Sequence, residues 1–370
     1  MERQMLSLLL AFSAISMLSV VDICSAEQAT AFFVFGDSSV DTGNVPNSSF
    51  LSPWKYPYGV SWPGHPYGRF SSGKIQSDFI AQMLGLPPPV PYGLLNDSAR
   101  NMTASKGINF AVAGSGVFDT YGFPKLGTQV GFFKDIIRSQ KYRYNNLNHS
   151  VALVTVMGND YAPVNLTQVG RTKFAKSVIT EMKMQLTELY KLGFRNFLVS
   201  NVMPFDCLPA NLKAGTVCLN TTMDLVSAHN EYLSEAVSEL TKLEDANFLI
   251  LDTFKAFSLV ISNPTAHGIH YVNKSCCSSR KSALNYIGCG LYDKEGKPMF
   301  HVCKHPERAL FFDWYHLTQK GWEALTNLYY SHTGFVQDGS SSSSPTSLAE
   351  WLHSHNVGLN SSPPDSQSNH

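Results

Sequence analysis

Nearly continuous apolar runs, rich in β-branched and aromatic residues, recur at positions 31–35, 108–112, 151–156, 196–200 and 247–252. Unbroken apolar character over so short a length fits strands buried on both faces. A different spacing appears between them. Phe174, Val178, Met182, Leu186 and Leu189 recur at helical intervals and stop before Gly193, a residue suited to a helix C-terminus. Leu225, Tyr232, Leu233, Val237 and Leu240 form a second such face, and residues 319–329 predict a third helix. Strands alternating with helices predict a three-layer α/β/α sandwich around a mostly parallel five-stranded sheet. In such sheets ligands bind beyond the carboxyl ends of the strands, where strand order reverses.

The turns at the strand ends therefore carry the chemistry. The first run ends in Gly36-Asp37-Ser38. A serine hydroxyl is a weak nucleophile until a base takes its proton, so a reactive serine requires a histidine and a carboxylate that orients it. The sequence is not the G-x-S-x-G elbow of α/β-hydrolases, and capping of a following helix is the alternative role for Ser38. After the second run come Ala113-Gly114-Ser115-Gly116, small residues whose backbone N–H groups a ligand can approach. After the third comes Gly158-Asn159-Asp160, whose Asn either closes an Asx-turn or offers its amide to a developing oxyanion. Far downstream Asp313 and His316 stand between an apolar run and a helix, spaced so that the carboxylate can hold the imidazole tautomer. These groups together make the constellation of acyl transfer.

The chain ends suggest a compartment. Arg3, an apolar run over residues 6–21 and the small residues Cys24-Ser25-Ala26 read as a secretory signal, residues 1–26, with the mature chain beginning near Glu27. That run is shorter than the roughly 18 to 20 residues of a spanning helix, which argues against an anchor. From 338 to 370 Ser and Pro dominate, predicting a disordered tail with a short helix around 348–353, so the folded domain is placed at 27–337. The polar end of that tail carries no lipid-anchor signal.

Composition narrows the partners. Of 370 residues, 44% are hydrophobic, enough for a substantial core, and 28 basic residues balance 28 acidic ones. No net field draws the chain to nucleic acid or anionic lipid, so the expected partner is small or neutral. Of seven cysteines, Cys24 falls in the signal, leaving Cys207, Cys218, Cys276, Cys277, Cys289 and Cys303. An even number in an oxidising compartment implies disulfides, with the close pair Cys207 and Cys218 the first choice and the other four joined among themselves. CxxC spacing is missing, and His267 and His270 have no further ligands nearby, so no metal is expected. Sequons at Asn47, Asn96, Asn101, Asn148, Asn165, Asn220, Asn273 and Asn360 predict glycosylation on exposed loops. Trp54, Tyr56, Tyr58, Trp62 and Tyr67 crowd one Pro/Gly-rich loop, where aromatic packing is the expectation and an acyl pocket the alternative.

The strand-end residues resemble those of the plant-type GDSL esterase/lipases of the SGNH hydrolase superfamily. The similarity runs from about Ala31 to Tyr330 and rests on four blocks in the same order. These are Gly36-Asp37-Ser38 with Asp41-x-Gly43-Asn44, then Asn109-Phe110-Ala111 leading into the glycine turn, then Gly158-Asn159-Asp160, and lastly Asp313-x-x-His316. Gly68-Arg69-Phe70-Ser71 and Asp78-Phe79-Ile80-Ala81 add to it. The resemblance implies a flavodoxin-like sheet, Ser38 as nucleophile, His316 as base and then acid, and Asp313 as its orienter. It further implies an oxyanion hole from the Ser38 N–H, the Gly114 N–H and the Asn159 side chain, with Ala113 an alternative donor. No cofactor is implied. The substrate would be a small-molecule or lipid ester and the location extracellular, in apoplast or cell wall, or vacuolar. Two positions depart from the family pattern without removing a reacting group: Ser39 in place of the fourth GDSL residue, and Leu317 where relatives carry Pro after the histidine. An acyltransferase using the same acyl-enzyme, and a silent carbohydrate-binding glycoprotein, are the alternatives to an esterase.

Overall fold

The computed structural model describes residues 29–49, 53–95, 104–140, 147–162, 168–212, 218–279, 289–339, 347–355 and 357. In chain order the strands are β1 (Phe32–Gly36), β2 (Val90–Pro91), β3 (Ile108–Asn109), β4 (Val151–Thr155), β5 (Asn196–Ser200), β6 (Asn247–Leu251), β7 (Tyr271–Ser275), β8 (Cys277–Ser279), β9 (Phe300–Val302), β10 (Ala309–Phe311) and β11 (Val336–Asp338). The α-helices are α1 (Gln76–Met83), α2 (Leu126–Ser139), α3 (Gln168–Lys191), α4 (Met223–Leu240), α5 (Thr253–Ser262), α6 (Gln319–Ser331) and α7 (Leu348–Ser354).

The central sheet has seven strands in the order β11-β6-β5-β4-β1-β3-β2. The five expected strands run parallel in its middle, β2 extends it in parallel beside β3, and β11 closes the other edge antiparallel to β6. The chain passes from β1 to β3 on one side and returns to β4 on the other, so order reverses at β1, the flavodoxin-like arrangement. Alternate residues of β1 feed two cores. Phe32 and Val34 pack with Ile80, Phe257, Leu325 and Tyr329 from α1, α5 and α6. Phe33 and Phe35 pack with Phe133, Met182 and Val237 from α2, α3 and α4 on the opposite face. The helix-spaced residues 174–189 lie in α3, which ends just before Gly193 as expected. There the Gly193 N–H bonds the Tyr190 carbonyl and the Phe194 N–H bonds that of Leu189, a closing turn that needs the positive φ of +115° at Gly193.

Three features depart from the sequence reading. β3 stops at Asn109 rather than reaching Val112, because the Asn109 side chain takes the Ala111 N–H and donates to the Val40 carbonyl. The folded unit does not stop at 337. β11 includes Asp338, and Leu348, Trp351, Leu352 and Val357 are buried in the core against the α1/α6 side. The apolar face of α7 docked there is removed from water and adds to the core. Among the sequons, Asn47, Asn148, Asn220 and Asn273 are exposed, but Asn273 lies on β7 rather than in a loop, while Asn96, Asn101, Asn165 and Asn360 fall outside the described residues, as does the signal.

Disulfides join Cys207 to Cys218, Cys276 to Cys303 and Cys277 to Cys289. The last two lie on adjacent residues and anchor the small β8/β9 ribbon beside the strand that leads to Asp313. No described helix is long and apolar enough to cross a membrane.

Candidate active site

β1 delivers Ser38 to the sheet edge through a junction with no room for a side chain. A Cβ on Gly36 would stand 1.9 Å from the Thr155 carbonyl oxygen, at a φ of +141°. Only glycine lets β1 end against β4 in this way. The Gly36 peptide is also gripped by Gln129 of α2, whose Oε1 accepts the Gly36 N–H and whose Nε2 donates to the Gly36 carbonyl, each at 2.8 Å. Beyond it the chain makes one tight turn, in which the Asp37 carbonyl accepts the N–H groups of Val40 and Asp41. The Asp37 carboxylate, not the Ser38 hydroxyl, caps this turn, through the Ser39 N–H at 2.9 Å. Ser38 is left partly exposed while residues 37 and 39–43 are buried.

The Ser38 hydroxyl meets His316 instead, with Oγ 2.8 Å from Nε2. The other ring nitrogen, Nδ1, lies 2.8 Å from both oxygens of Asp313. Asp313 Oδ1 also accepts the Tyr315 and His316 N–H groups, and Oδ2 the Tyr58 hydroxyl at 3.0 Å. Burial by itself raises the Asp313 carboxyl, but the neighbouring His316 and the backbone donors outweigh it and hold the group below its ordinary value of 3.8. The pair sits on the loop from β10 to α6, and that helix begins directly behind it, with Thr318 Oγ1 accepting the Gly321 N–H as its cap. The Leu317 carbonyl accepts the Ser71 hydroxyl.

Three loops frame the serine with backbone donors. The Ala113 N–H is committed to Asp41 Oδ2 at 2.9 Å. The Gly114 N–H, at a φ of +82°, and the Ser38 N–H have no hydrogen-bond partner among the described residues. Of the two candidates in the glycine turn, Gly114 is thus the one with a donor to offer. Asn159 stands between Asp37 and that turn, its Nδ2 donating to the Ser115 carbonyl at 2.9 Å and, at a long 3.4 Å, to Asp37 Oδ2. The long contact is the one an incoming oxyanion can replace.

Buried carboxylates set these loops. Asp37 accepts the N–H groups of Ser39 and Met157, Asp41 those of Gly43, Asn44 and Ala113, and Asp160 those of Val117 and Phe118. Burial pushes Asp37 and Asp41 up to about 6 against the pull of those donors. Among the described residues no group of three or more His, Cys, Asp or Glu side chains converges to hold a metal ion.

Most of the aromatic loop packs as expected. The Trp54 ring covers Gly43 and Gly68, and Trp62 and Tyr67 lie over the Arg69 guanidinium, itself paired with Asp78 by bonds of 2.6 and 2.7 Å. Tyr58 is different, because its hydroxyl reaches Asp313. Composition gives no sign of this, nor of the Gln129 grip on Gly36: both are ordinary residues whose partners are distant in sequence.

The family model described as GDSL-like Lipase/Acylhydrolase matches residues 32–328. The chain is 36% identical over 310 residues to GDSL esterase/lipase At5g03610 of Arabidopsis thaliana, covering 80% of this chain and 84% of that protein. It is 32% identical over 313 residues to GDSL esterase/lipase At3g09930 of the same plant, covering 81% and 87%. Acetylajmalan esterase 2 of Rauvolfia serpentina is 30% identical over 326 residues, covering 78% and 86%.

Proposed function

Because the chain belongs to the GDSL-like lipase/acylhydrolase family and is thus a carboxylic ester hydrolase, we propose that it cleaves esters through Ser38, His316 and Asp313. What carries this reading is one line of contacts: Ser38 Oγ at 2.8 Å from His316 Nε2, with Asp313 on the opposite ring nitrogen. In this reading His316 takes the hydroxyl proton as Ser38 Oγ attacks the ester carbonyl, and the ionised Asp313 stabilises the imidazolium. The tetrahedral oxyanion is met by the N–H groups of Ser38 and Gly114 and by the Asn159 amide. His316 then returns the proton to the leaving alcohol, and a water activated by the same ring hydrolyses the acyl-enzyme.

Secretion belongs to the same proposal. Six cysteines joined in three pairs suit an oxidising compartment, and residues 1–26 have the make-up of a cleaved leader. Four exposed sequons, at Asn47, Asn148, Asn220 and Asn273, are the available glycan sites among the described residues.

The test is covalent. The purified full chain is treated with a fluorescent phosphonate ester and the label located by peptide mass spectrometry, alongside His316→Ala. Label on Ser38 that vanishes with His316 is expected; well-folded protein labelled elsewhere, or equally without His316, overturns the assignment. Sequencing the N-terminus of the protein collected from the medium checks the leader, with Glu27 or a near neighbour the expected first residue.

A further inference from the structure

The Asp313 carboxylate is held from two directions. The Tyr315 and His316 N–H groups grip Oδ1 at 2.9 Å, but they belong to the same turn as Asp313 and move with it. Oδ2 is held from outside that turn by the Tyr58 hydroxyl, at 3.0 Å. Fixing both oxygens fixes the plane of the carboxylate, and that plane decides which way the imidazole faces. Tyr58 is itself fixed. It is buried, and its ring packs edge-on against Phe70 and Phe312, each with centroids 5.4 Å away. Phe70 in turn stacks on the His316 ring at 4.9 Å and 27°. The loop that carries Tyr58 and Phe70 is tied to the segment after His316, for Ser71 Oγ donates to the Leu317 carbonyl and Ser72 Oγ accepts the Gln319 N–H.

We propose that Tyr58 is a positioning residue for the reaction, its hydroxyl holding the Asp313 carboxylate in the plane that aims His316 at Ser38. The proposal rests on the triad reading of the site. Burial and the charge of Asp313 keep the phenol protonated far beyond its ordinary value, so it remains a donor throughout the working range. A hydrogen bond to an ionised group is among the stronger ones in proteins. The aromatic loop is thereby more than filler, since one of its rings reaches a reacting pair that lies far off in sequence.

The experiment is a double-mutant cycle on the full secreted chain with p-nitrophenyl butyrate as the probe ester. Tyr58→Phe removes only the hydroxyl, and its kcat is expected to fall roughly 10- to 100-fold with KM unchanged. In an Asp313→Asn background, where the carboxylate is already gone, the same change is expected to cost less than about twofold. A rate for Tyr58→Phe within about twofold of the parent, a loss carried by KM, or an undiminished loss in the Asp313→Asn background overturns the proposal. Should Tyr58→Phe not fold, 4-aminophenylalanine in place of Tyr58 decides the matter, because it keeps a donor at the same point. Folded protein of that kind is expected within about threefold of the parent rate, and a loss of about tenfold or more counts against the hydroxyl's role. Ser38→Ala separates the two levels: full activity there sinks the triad reading itself, whatever Tyr58 does.

Discussion

Replacing Gln129 tests whether the serine's strand end depends on a helix on the far side of the sheet. Gln129 is fully buried and makes three hydrogen bonds: with the Gly36 N–H and carbonyl, both 2.8 Å, and with the Pro124 carbonyl, 3.0 Å. In Gln129→Met, which keeps the volume, the two carbonyls retain other partners, since Val112 N–H still donates to Gly36 and Ser115 Oγ to Pro124. The Gly36 N–H has no such substitute. An orphaned buried donor costs about 1–3 kcal/mol and each exchanged bond about 0.5–1.5 kcal/mol. Burying a thioether in place of an amide offsets part of the sum, leaving a net loss of about 2–4 kcal/mol. For a domain of this size that lowers the melting temperature by roughly 3 to 6 °C. The assay is calorimetry of parent and variant at one scan rate, since a disulfide-linked chain can unfold irreversibly. Because Gly36 lies two residues before Ser38, kcat measured well below the transition is also expected to fall. A melting temperature within about 2 °C of the parent refutes the reasoning, for it means that the Gly36 peptide is satisfied without Gln129.

Burial holds the Asp37 proton on up to about pH 6, against an ordinary value of 3.8, so the folded chain binds more protons than the unfolded one across that window. Stability is then expected to rise as pH falls from about 6 to about 4, and the gain is lost as pH climbs through about 6; Asp37 contributes at most about 3 kcal/mol of it. Melting curves against pH check this, and an Asp37→Asn variant with the parent's slope refutes it, Asp41 and Asp160 being raised by burial as well. Opening the Cys276–Cys303 bridge as a pair of serines frees a loop with a sequence separation of 27 and is expected to cost about 3.5 kcal/mol by loop-closure entropy. Urea unfolding measures it, and an unchanged midpoint argues against the loss. Trp351→Ala empties a site only 1% exposed and is expected to cost about 3–5 kcal/mol, whereas an appendage outside the domain would register no change in the same titration.

The strands that position the site were legible because each is buried on both faces, and burial on both faces leaves an unbroken apolar run. β2 and β11 were not, for they are two and three residues long and include Pro91, Gln337 and Asp338, none of which reads as strand. The helix at 348–354 was visible, but its docking was not: a serine run precedes it, and only the folded chain puts Trp351 and Leu352 against α6. Ser38, Asn159, Asp313 and His316 stood out because the proposed acyl transfer calls for those residue types at strand ends. Tyr58 and Gln129 did not, since a tyrosine in an aromatic loop and a glutamine in a helix act here through partners distant in sequence.

The buried carboxylates explain why so much polarity collects at this edge. Asp37, Asp41 and Asp160 each accept backbone N–H groups from the loops that surround Ser38, and burial raises all three above their ordinary value. Such groups oppose folding at neutral pH, where they are driven to ionise without water. In return they supply placement. Asp41 takes the Ala113 N–H out of use, leaving the Gly114 N–H as the uncommitted donor of that turn, and Asp160 occupies the space where a Cβ on Gly116 would stand, 2.4 Å from its Oδ1. An oxyanion site works only when its donors point at the developing charge before the reaction begins. In the proposed oxyanion site, stability given up in three carboxylates thus goes into fixing donors that an apolar loop would leave free to turn towards solvent.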